Sequence, residues 1–162
     1  MIAIKLKTMK NIILLITITI ASLSCKAQNT INASELTING LVIIGKNKSM
    51  LISNFGQPLE IEKEYNEMDK VDIYIYKYKG IVFTVEENLI DSFSIIGSEY
   101  SFTKHDIKIG DNIEKLKYIF PLSFKKKRKT HIYLDIEKYD KYLSFTNENE
   151  TKKIKRIRIG NY

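Results

Sequence analysis

Tryptophan is absent from the sequence, and the 162 residues include only one cysteine, two prolines and seven glycines. A single cysteine excludes an intrachain disulfide framework and a zinc site built from several cysteines. The scarcity of proline and glycine excludes a collagen-like or linker-dominated chain. What remains is a globular composition, 44% hydrophobic and 28% charged, with a length that fits one ordinary domain or two very small ones.

Acidic residues are also missing from residues 1–24, which carry three lysines and then an apolar run over residues 12–23. The run has the length of a signal-peptide core and is too short to cross a bilayer as a helix. Residues 1–24 are therefore predicted to be an export signal. Met9 is an alternative start, since a compact signal begins there.

The only cysteine, Cys25, follows Ser24 directly at the end of this run. A small residue before a cysteine at this place resembles the lipobox of bacterial lipoproteins. The resemblance implies that Cys25 becomes the lipid-bearing first residue of a chain anchored in the cell envelope, facing the periplasm or the cell surface. Cleavage after Ala27 would instead yield a soluble periplasmic protein, and an N-terminal core helix is the third alternative. Residues 25–39 are predicted to form a tether.

Two segments of the remaining chain match each other at an offset of 65 residues. Ile44-Gly45-Lys46-Asn47 reappears as Ile109-Gly110-Asp111-Asn112, and each is followed by an apolar pattern typical of a short helix. Asn47 is the expected cap of the first helix, and Asp111 with Glu114 forms the expected capping box of the second. The helix residues expected in the core are Leu51, Phe55, Leu116 and Phe120.

Three alternating, strand-like segments follow each predicted helix. They cover residues 71–78, 81–85 and 89–96 in the first half, and 131–136, 142–146 and 154–159 in the second. The predicted fold is α+β, with two tandem repeats over residues 40–103 and 104–162 in one compact body. Each repeat is a short helix packed on a three-stranded antiparallel meander.

This tandem pattern resembles the β-lactamase-inhibitor-protein-like architecture. One copy is also similar to the small lipoprotein of the outer-membrane assembly machine, through Gly45 and the later Phe55-Gly56-Gln57-Pro58. The resemblance implies a fold and an envelope location. The inhibitor family carries disulfides in each unit, which this chain cannot form.

Motifs that indicate chemistry are missing from the sequence. There is no nucleophile elbow, phosphate loop, zincin or dinucleotide fingerprint, and neither His105 nor His131 has a partner at a familiar metal spacing. We therefore predict no catalytic residue, no metal, no cofactor and no small-molecule substrate, and do not expect an enzyme.

Strand alternation suggests a contact surface. In residues 71–78 the aliphatic side chains Val71, Ile73 and Ile75 share one face and the tyrosines share the other. If the aliphatic face packs on the helices, the tyrosines point outward, together with Thr84, Ser92, Ser94, Ser144 and Thr146. The hypothetical partner-binding set is Tyr74, Tyr76, Tyr78, Arg156 and Arg158. An ordinary solvated sheet face is the alternative interpretation.

Charge is divided unevenly along the chain. Residues 40–103 have a net charge of −4, and residues 104–162 have a net charge of +8. An exported protein seldom meets nucleic acid, so the basic residues indicate lipid headgroups, lipopolysaccharide phosphates or the acidic surface of a partner protein. The predicted steering cluster consists of Lys125, Lys126, Lys127, Arg128 and Lys129.

The function predicted from the sequence is that of an exported, lipid-anchored, non-catalytic envelope protein that binds another protein. The alternative is a periplasmic immunity or inhibitor protein that neutralises a secreted toxin or enzyme. Nothing in the sequence identifies the partner.

Overall fold

The computed structural model describes residues 29–162. The predicted signal over residues 1–24, Cys25 and the start of the predicted tether lie outside the described residues. No helix in the described part is both long and apolar enough to cross a membrane.

Ten strands and three short α-helices make up the described chain. The strands are β1 (Thr30–Ile31), β2 (Thr37–Ile38), β3 (Leu41–Val42), β4 (Glu60–Asn66), β5 (Val71–Tyr78), β6 (Ile81–Glu86), β7 (Leu89–Ile95), β8 (His131–Ile136), β9 (Lys141–Asn147) and β10 (Ile154–Asn161). The helices are α1 (Ser49–Phe55), α2 (Lys115–Ile119) and α3 (Pro121–Lys125), and a 3-10 turn spans Ala33–Glu35.

Eight of these strands form one continuous sheet in the order β1-β8-β9-β10-β7-β6-β5-β4, and β2 pairs with β3 separately. The strand β1 is parallel to β8, and the other neighbours in the large sheet are antiparallel. Strands β7 and β10 join the two halves of the chain through the pair Ile95 and Ile157.

The predicted fold class is therefore wrong. The architecture is dominated by one mixed eight-stranded sheet, not by two repeats that each consist of a helix and a three-stranded meander. The first half contributes four strands, because the charged segment Glu60–Asn66 pairs along the whole of β5. The second half gains a neighbour in β1, which comes from the other end of the chain.

The segment predicted to be a tether belongs to the folded body from residue 30 onward. It contains β1, the 3-10 turn and β2, and the side chains of Ile31, Leu36 and Ile38 are buried. Its alternating apolar residues fill the core beneath the sheet. The predicted tether over residues 25–39 is therefore wrong from residue 30 onward.

Matching Gly-x-Asn segments precede α1 and α2. The amide N–H of Gly45 donates to Ile90 O and that of Gly110 donates to Ile154 O, both at 2.8 Å. Asn47 Oδ1 accepts from the Ser49 amide, as Asn112 Oδ1 does from that of Glu114, both at 2.9 Å. Both glycines have positive φ, 73° and 94°, a conformation that favours a residue without Cβ.

The capping box predicted for Asp111 and Glu114 does not form. Asp111 Oδ2 instead accepts from the Lys108 amide at 3.0 Å and from Lys115 Nζ at 2.7 Å. Asn112 makes the local turn, and α2 begins three residues after it. The asparagine, one residue later than the predicted cap, therefore organises this helix start.

One face of the large sheet packs against the helices. Leu51, Leu116 and Phe120 are buried as predicted, whereas Phe55 is half-buried. The Phe55 ring lies 5.0 Å from that of Phe83, and the Phe120 ring lies 5.9 Å from that of Phe145. These contacts place the helices over the middle of one face of the sheet, and the candidate functional site lies on the opposite face.

Candidate functional site

The opposite face of the large sheet is open. Cross-strand partners share a face, so the register aligns Tyr133, Ser144, Arg158 and Ser94 across four adjacent strands. The side chains on this face are exposed or half-buried, except for that of Ser144, and the backbone of Gly160 is buried as well. The described chain thus presents a broad accessible surface, bordered by α3 at its β8 end.

Arg156 and Arg158 stand in the middle of this open face. Both are exposed on β10, and their cross-strand neighbours on β9 are the short side chains of Thr146 and Ser144. Among the described residues no carboxylate oxygen lies within 4 Å of either guanidinium. The two arginines therefore rise as unpaired positive charges above a floor of small hydroxyl residues.

The three tyrosines predicted to join these arginines lie on the other face. Tyr76 and Tyr78 are buried, Tyr74 is half-buried against the core, and their partners on β6 are Phe83, Ile81 and Val85. The physical reason is the register of the hairpin at Lys79-Gly80, which pairs Tyr78 with the buried Ile81. Because cross-strand partners share a face, the tyrosines point toward the core. Tyr74, Tyr76 and Tyr78 cannot form an outward contact face, and the half-buried Ile73 and Ile75 take that place.

Burial changes the ionisation of the Tyr78 phenol. Its hydroxyl oxygen has no hydrogen-bond partner within the described chain, and its ring lies 5.9 Å from that of Phe83. Burial raises the pKa of this phenol above its ordinary value. Tyr78 is thus a core residue.

The acidic counterpart of the open face lies at its far edge. On β4 the carboxylates of Glu60 and Glu62 both contact Lys77 Nζ, the first at 3.2 Å. On the helix-facing side of the same edge, beside Tyr74, Lys63 Nζ lies 2.8 Å from Asp72 Oδ2. The Glu62 and Glu60 contacts raise the pKa of Lys77. Charged side chains on an outermost strand also discourage edge-to-edge aggregation.

The predicted steering cluster is split by the structure. Lys125 closes α3, Lys127 Nζ lies 5.9 Å from the centre of the Phe124 ring, and Lys129 adopts a positive φ of 45°. Lys126 and Arg128 instead line a cavity of about 380 Å³ beside strand β8. Only two of the five basic residues therefore share a concave site.

Three tyrosines line the same cavity with these two basic residues. The rings of Tyr133 and Tyr142 meet edge to face at 5.4 Å, and those of Tyr142 and Tyr162 do so at 5.3 Å. Asp135 and Asn29 complete the polar part of the wall. The residues come from α3, the turn after it, β8, β9 and both ends of the described chain.

Asp135 is coupled to one of these tyrosines. The hydroxyl of Tyr162 donates a hydrogen bond to Asp135 Oδ1. This bond is the main reason that the pKa of Tyr162 rises to about 12, because a carboxylate acceptor favours the protonated phenol.

The sequence analysis did not identify Tyr133, Asp135, Tyr142 or Tyr162. They come from three different parts of the chain, and no short motif contains them. One available signal was alternation in β8, where Tyr133 and Asp135 share the face opposite Ile132, Leu134 and Ile136.

The histidines lie in separate surroundings. The His131 ring stacks on that of Tyr133 at 5.8 Å with an angle of 8°, whereas His105 packs edge to face on Phe120 at 6.5 Å. Burial, followed by Lys104, lowers the pKa of His105. In the described residues, no three metal-ligating side chains cluster closely enough to hold an ion.

Neither a protein-family model nor a curated protein matches the chain. Similar solved structures include an extracellular protein containing an SCP domain from Bacillus anthracis str. Ames. Its TM-score is 0.55 at 14% identity, over 74% of this chain and 44% of that one. A cysteine-rich secretory protein from Staphylococcus aureus subsp. aureus Mu50 has a TM-score of 0.49 at 18% identity, over 73% of this chain and 43% of that one.

The first likeness concerns the fold alone, and the chain spans less than half the length of either neighbour. It corrects the resemblance to β-lactamase-inhibitor-like and small assembly lipoprotein folds, since that neighbour is an extracellular protein containing an SCP domain. The first neighbour is extracellular, which is consistent with the export predicted from residues 1–24.

Proposed function

We propose that the chain is an exported, non-catalytic envelope protein, attached by a lipid at Cys25, that binds an acidic surface of another protein. The observation that carries the binding role is the position of Arg156 and Arg158 at the centre of the open sheet face, where both are exposed and have no carboxylate partner among residues 29–162. Arginine is enriched in protein interfaces because its planar group gives several directed hydrogen bonds.

The surroundings of the two arginines support this role. Their cross-strand neighbours on β9 are the short Thr146 and Ser144, and both arginines are exposed, so each guanidinium is accessible to a partner carboxylate. The half-buried Ile73 and Ile75 lie on the same face, separated from β10 by two strands, and supply apolar area on that surface. A mixed surface of this kind is typical of non-obligate protein interfaces.

Lipid attachment rests on the Ser24-Cys25 junction after the apolar run. Two acyl chains hold a protein stably at a bilayer, whereas one chain gives only marginal binding. The anchor and the arginine pair are independent parts of the proposal, and each has its own test.

Cross-linking in the organism's own envelope, followed by purification of the full chain, tests the binding role. The variant Arg156→Ala/Arg158→Ala should lose the captured protein and bind it at least about tenfold more weakly when remixed, as expected for a central arginine. The matched control is Lys117→Ala/Lys138→Ala, which removes two exposed charges outside the open face. Equal binding by both double variants would refute the proposed surface.

The immunity or inhibitor alternative predicts a different identity for the captured protein. It requires a secreted toxin or enzyme whose activity falls when the chain is added. The arginine pair would then be the inhibitory contact, and the same double variant would relieve the inhibition.

A further inference from the structure

We propose that the cavity beside strand β8 binds a phospholipid headgroup that carries both a phosphate and an ammonium group. The headgroup cavity is defined by Lys126, Arg128, Tyr133, Asp135, Tyr142 and Tyr162. Its role at a membrane depends on the lipid anchor proposed above, whereas its recognition of the headgroup does not.

The phosphate half of the site is the pair Lys126 and Arg128. Both side chains are exposed, and in the described part of the chain neither lies within 4 Å of a carboxylate oxygen. Their positive charge is therefore available to a ligand. A guanidinium matches the oxygens of a phosphate with two parallel hydrogen bonds, and an ammonium adds a compact charge.

The ammonium half of the site is the group of three tyrosines with Asp135. The edge-to-face contacts of Tyr142 with Tyr133 and with Tyr162, at 75° and 62°, set three rings that all line the cavity at steep angles to one another. Aromatic faces attract ammonium groups, most strongly when several rings surround the cation. Asp135 supplies the opposite charge, and its bond to Tyr162 joins the carboxylate to this aromatic wall.

Two charges of opposite sign within one cavity favour a zwitterion over a simple anion. The volume of about 380 Å³ falls within the range of small-molecule sites, which begins at about 300 Å³. A purely anionic ligand would stand beside the negative charge of Asp135, and a purely cationic ligand would face Lys126 and Arg128. A phosphate linked to an ammonium satisfies both halves.

The length of chain before the cavity indicates where the headgroup comes from. Asn29 lines the cavity, and it stands four positions after Cys25 in the sequence. Four residues span at most about 14 Å. A lipid on Cys25 would therefore keep this wall of the cavity close to the headgroup layer of the membrane that holds it.

Calorimetric titration of the full chain in uncharged detergent tests the recognition directly. The probes are glycerophosphoethanolamine, which carries both groups, glycerol 3-phosphate, which carries only the phosphate, and ethanolamine, which carries only the ammonium. We expect the first probe to bind at least tenfold more tightly than either of the others. Equal binding of glycerol 3-phosphate would overturn the proposal in favour of a simple anion site.

Substitutions separate the cavity from general surface charge. Arg128→Gln and Tyr133→Leu should each weaken glycerophosphoethanolamine at least fivefold. The matched controls Lys129→Gln and Tyr118→Leu remove a neighbouring charge and a ring that is 86% exposed, and neither residue lines the cavity. Equal losses in variants and controls would overturn the site, and thermal unfolding of each variant checks that it is folded.

Vesicles distinguish a membrane lipid from a free soluble ligand. The chain should bind uncharged glycolipid vesicles more tightly when they contain phosphatidylethanolamine, and Arg128→Gln should remove that gain. A gain with phosphatidylglycerol as large as that with phosphatidylethanolamine would overturn the zwitterion. Failure of lipid attachment at Cys25 would leave the soluble titration unchanged, so the two proposals fail separately.

Discussion

The ring of Tyr142 lies directly over Gly160, its cross-strand partner on β10. A Cβ atom added to Gly160 would stand 2.7 Å from Tyr142 Cζ, well inside van der Waals contact. The glycine therefore makes room for the ring that joins Tyr133 to Tyr162. An aromatic side chain that covers a strand glycine also shields backbone that glycine leaves exposed.

Replacement of Gly160 by Ala should displace the Tyr142 ring and lower stability by about 1 kcal/mol, the lower end of overpacking effects. The ring is a side chain that can move, so the loss stays modest. In a Tyr142→Ala background the same change should cost nothing. Chemical denaturation of the four proteins in this double-mutant cycle measures the coupling, and additive effects would contradict the contact.

The bond between Tyr162 and Asp135 predicts a titration at high pH. The pKa of Tyr162 is raised to about 12 from an ordinary value near 10. The folded state holds this proton more tightly than the unfolded chain does. The contribution of the Tyr162–Asp135 bond to folding stability is therefore complete below about pH 10 and is lost as the pH rises toward 12.

The absorbance of tyrosinate, compared between the native chain and Tyr162→Phe, isolates this titration. Asp135→Asn should return the Tyr162 midpoint toward its ordinary value. An unchanged midpoint in that variant would show that the carboxylate is not the cause.

Alternation along the chain predicts where strands lie, but it does not determine which face of each strand is buried. Strand β5 has the bounds predicted from its sequence, Val71–Tyr78, because a period of two is a local property. The choice of face is not local. It follows from the register with β6, and a two-residue hairpin at Lys79-Gly80 could have supplied that register, since it pairs Tyr78 with Ile81.

Strand β4, the pairing of β1 with β8 and the headgroup cavity were not predicted from the sequence, for different physical reasons. Strand β4 alternates in charge more than in hydrophobicity, as an exposed edge strand does, so its pattern indicates solvent. The parallel pairing of β1 with β8 joins residues about a hundred positions apart, and no local pattern encodes it. The headgroup cavity likewise depends on several elements meeting, although the exposure of Arg156 and Arg158 follows from alternation alone.

Truncation of Phe120 to Ala should lower the free energy of unfolding by about 3–5 kcal/mol. This side chain is 4% exposed and contacts Phe145 beneath the sheet. Phe55→Ala should cost less, about 2 kcal/mol, because Phe55 is only half-buried. Urea unfolding of both variants measures the difference, and a larger loss for Phe55 would contradict this arrangement of the core.

Removal of the Tyr78 hydroxyl should stabilise the chain. The oxygen is buried without a hydrogen-bond partner in the described residues, and such a group costs about 1–3 kcal/mol. Tyr78→Phe keeps the ring contacts and removes that cost, so we expect a gain of about 1 kcal/mol in thermal or urea unfolding. Tyr65→Phe is the control, since Tyr65 is 60% exposed on β4 and should change stability little. A loss of stability in Tyr78→Phe would show that the hydroxyl has a partner.

The predicted anchor is tested at Cys25, which lies outside the described residues. Growth with a clickable fatty-acid analogue should label the native chain and leave Cys25→Ser unlabelled, because the chain has no other thiol. The native chain should sediment with membranes and the variant should be released into the soluble fraction, since acyl chains supply most of the attachment. Mass spectrometry of the mature N-terminus separates the two possible cleavage sites. An unlabelled native chain that begins at Gln28 would establish soluble export after Ala27 and exclude the lipid.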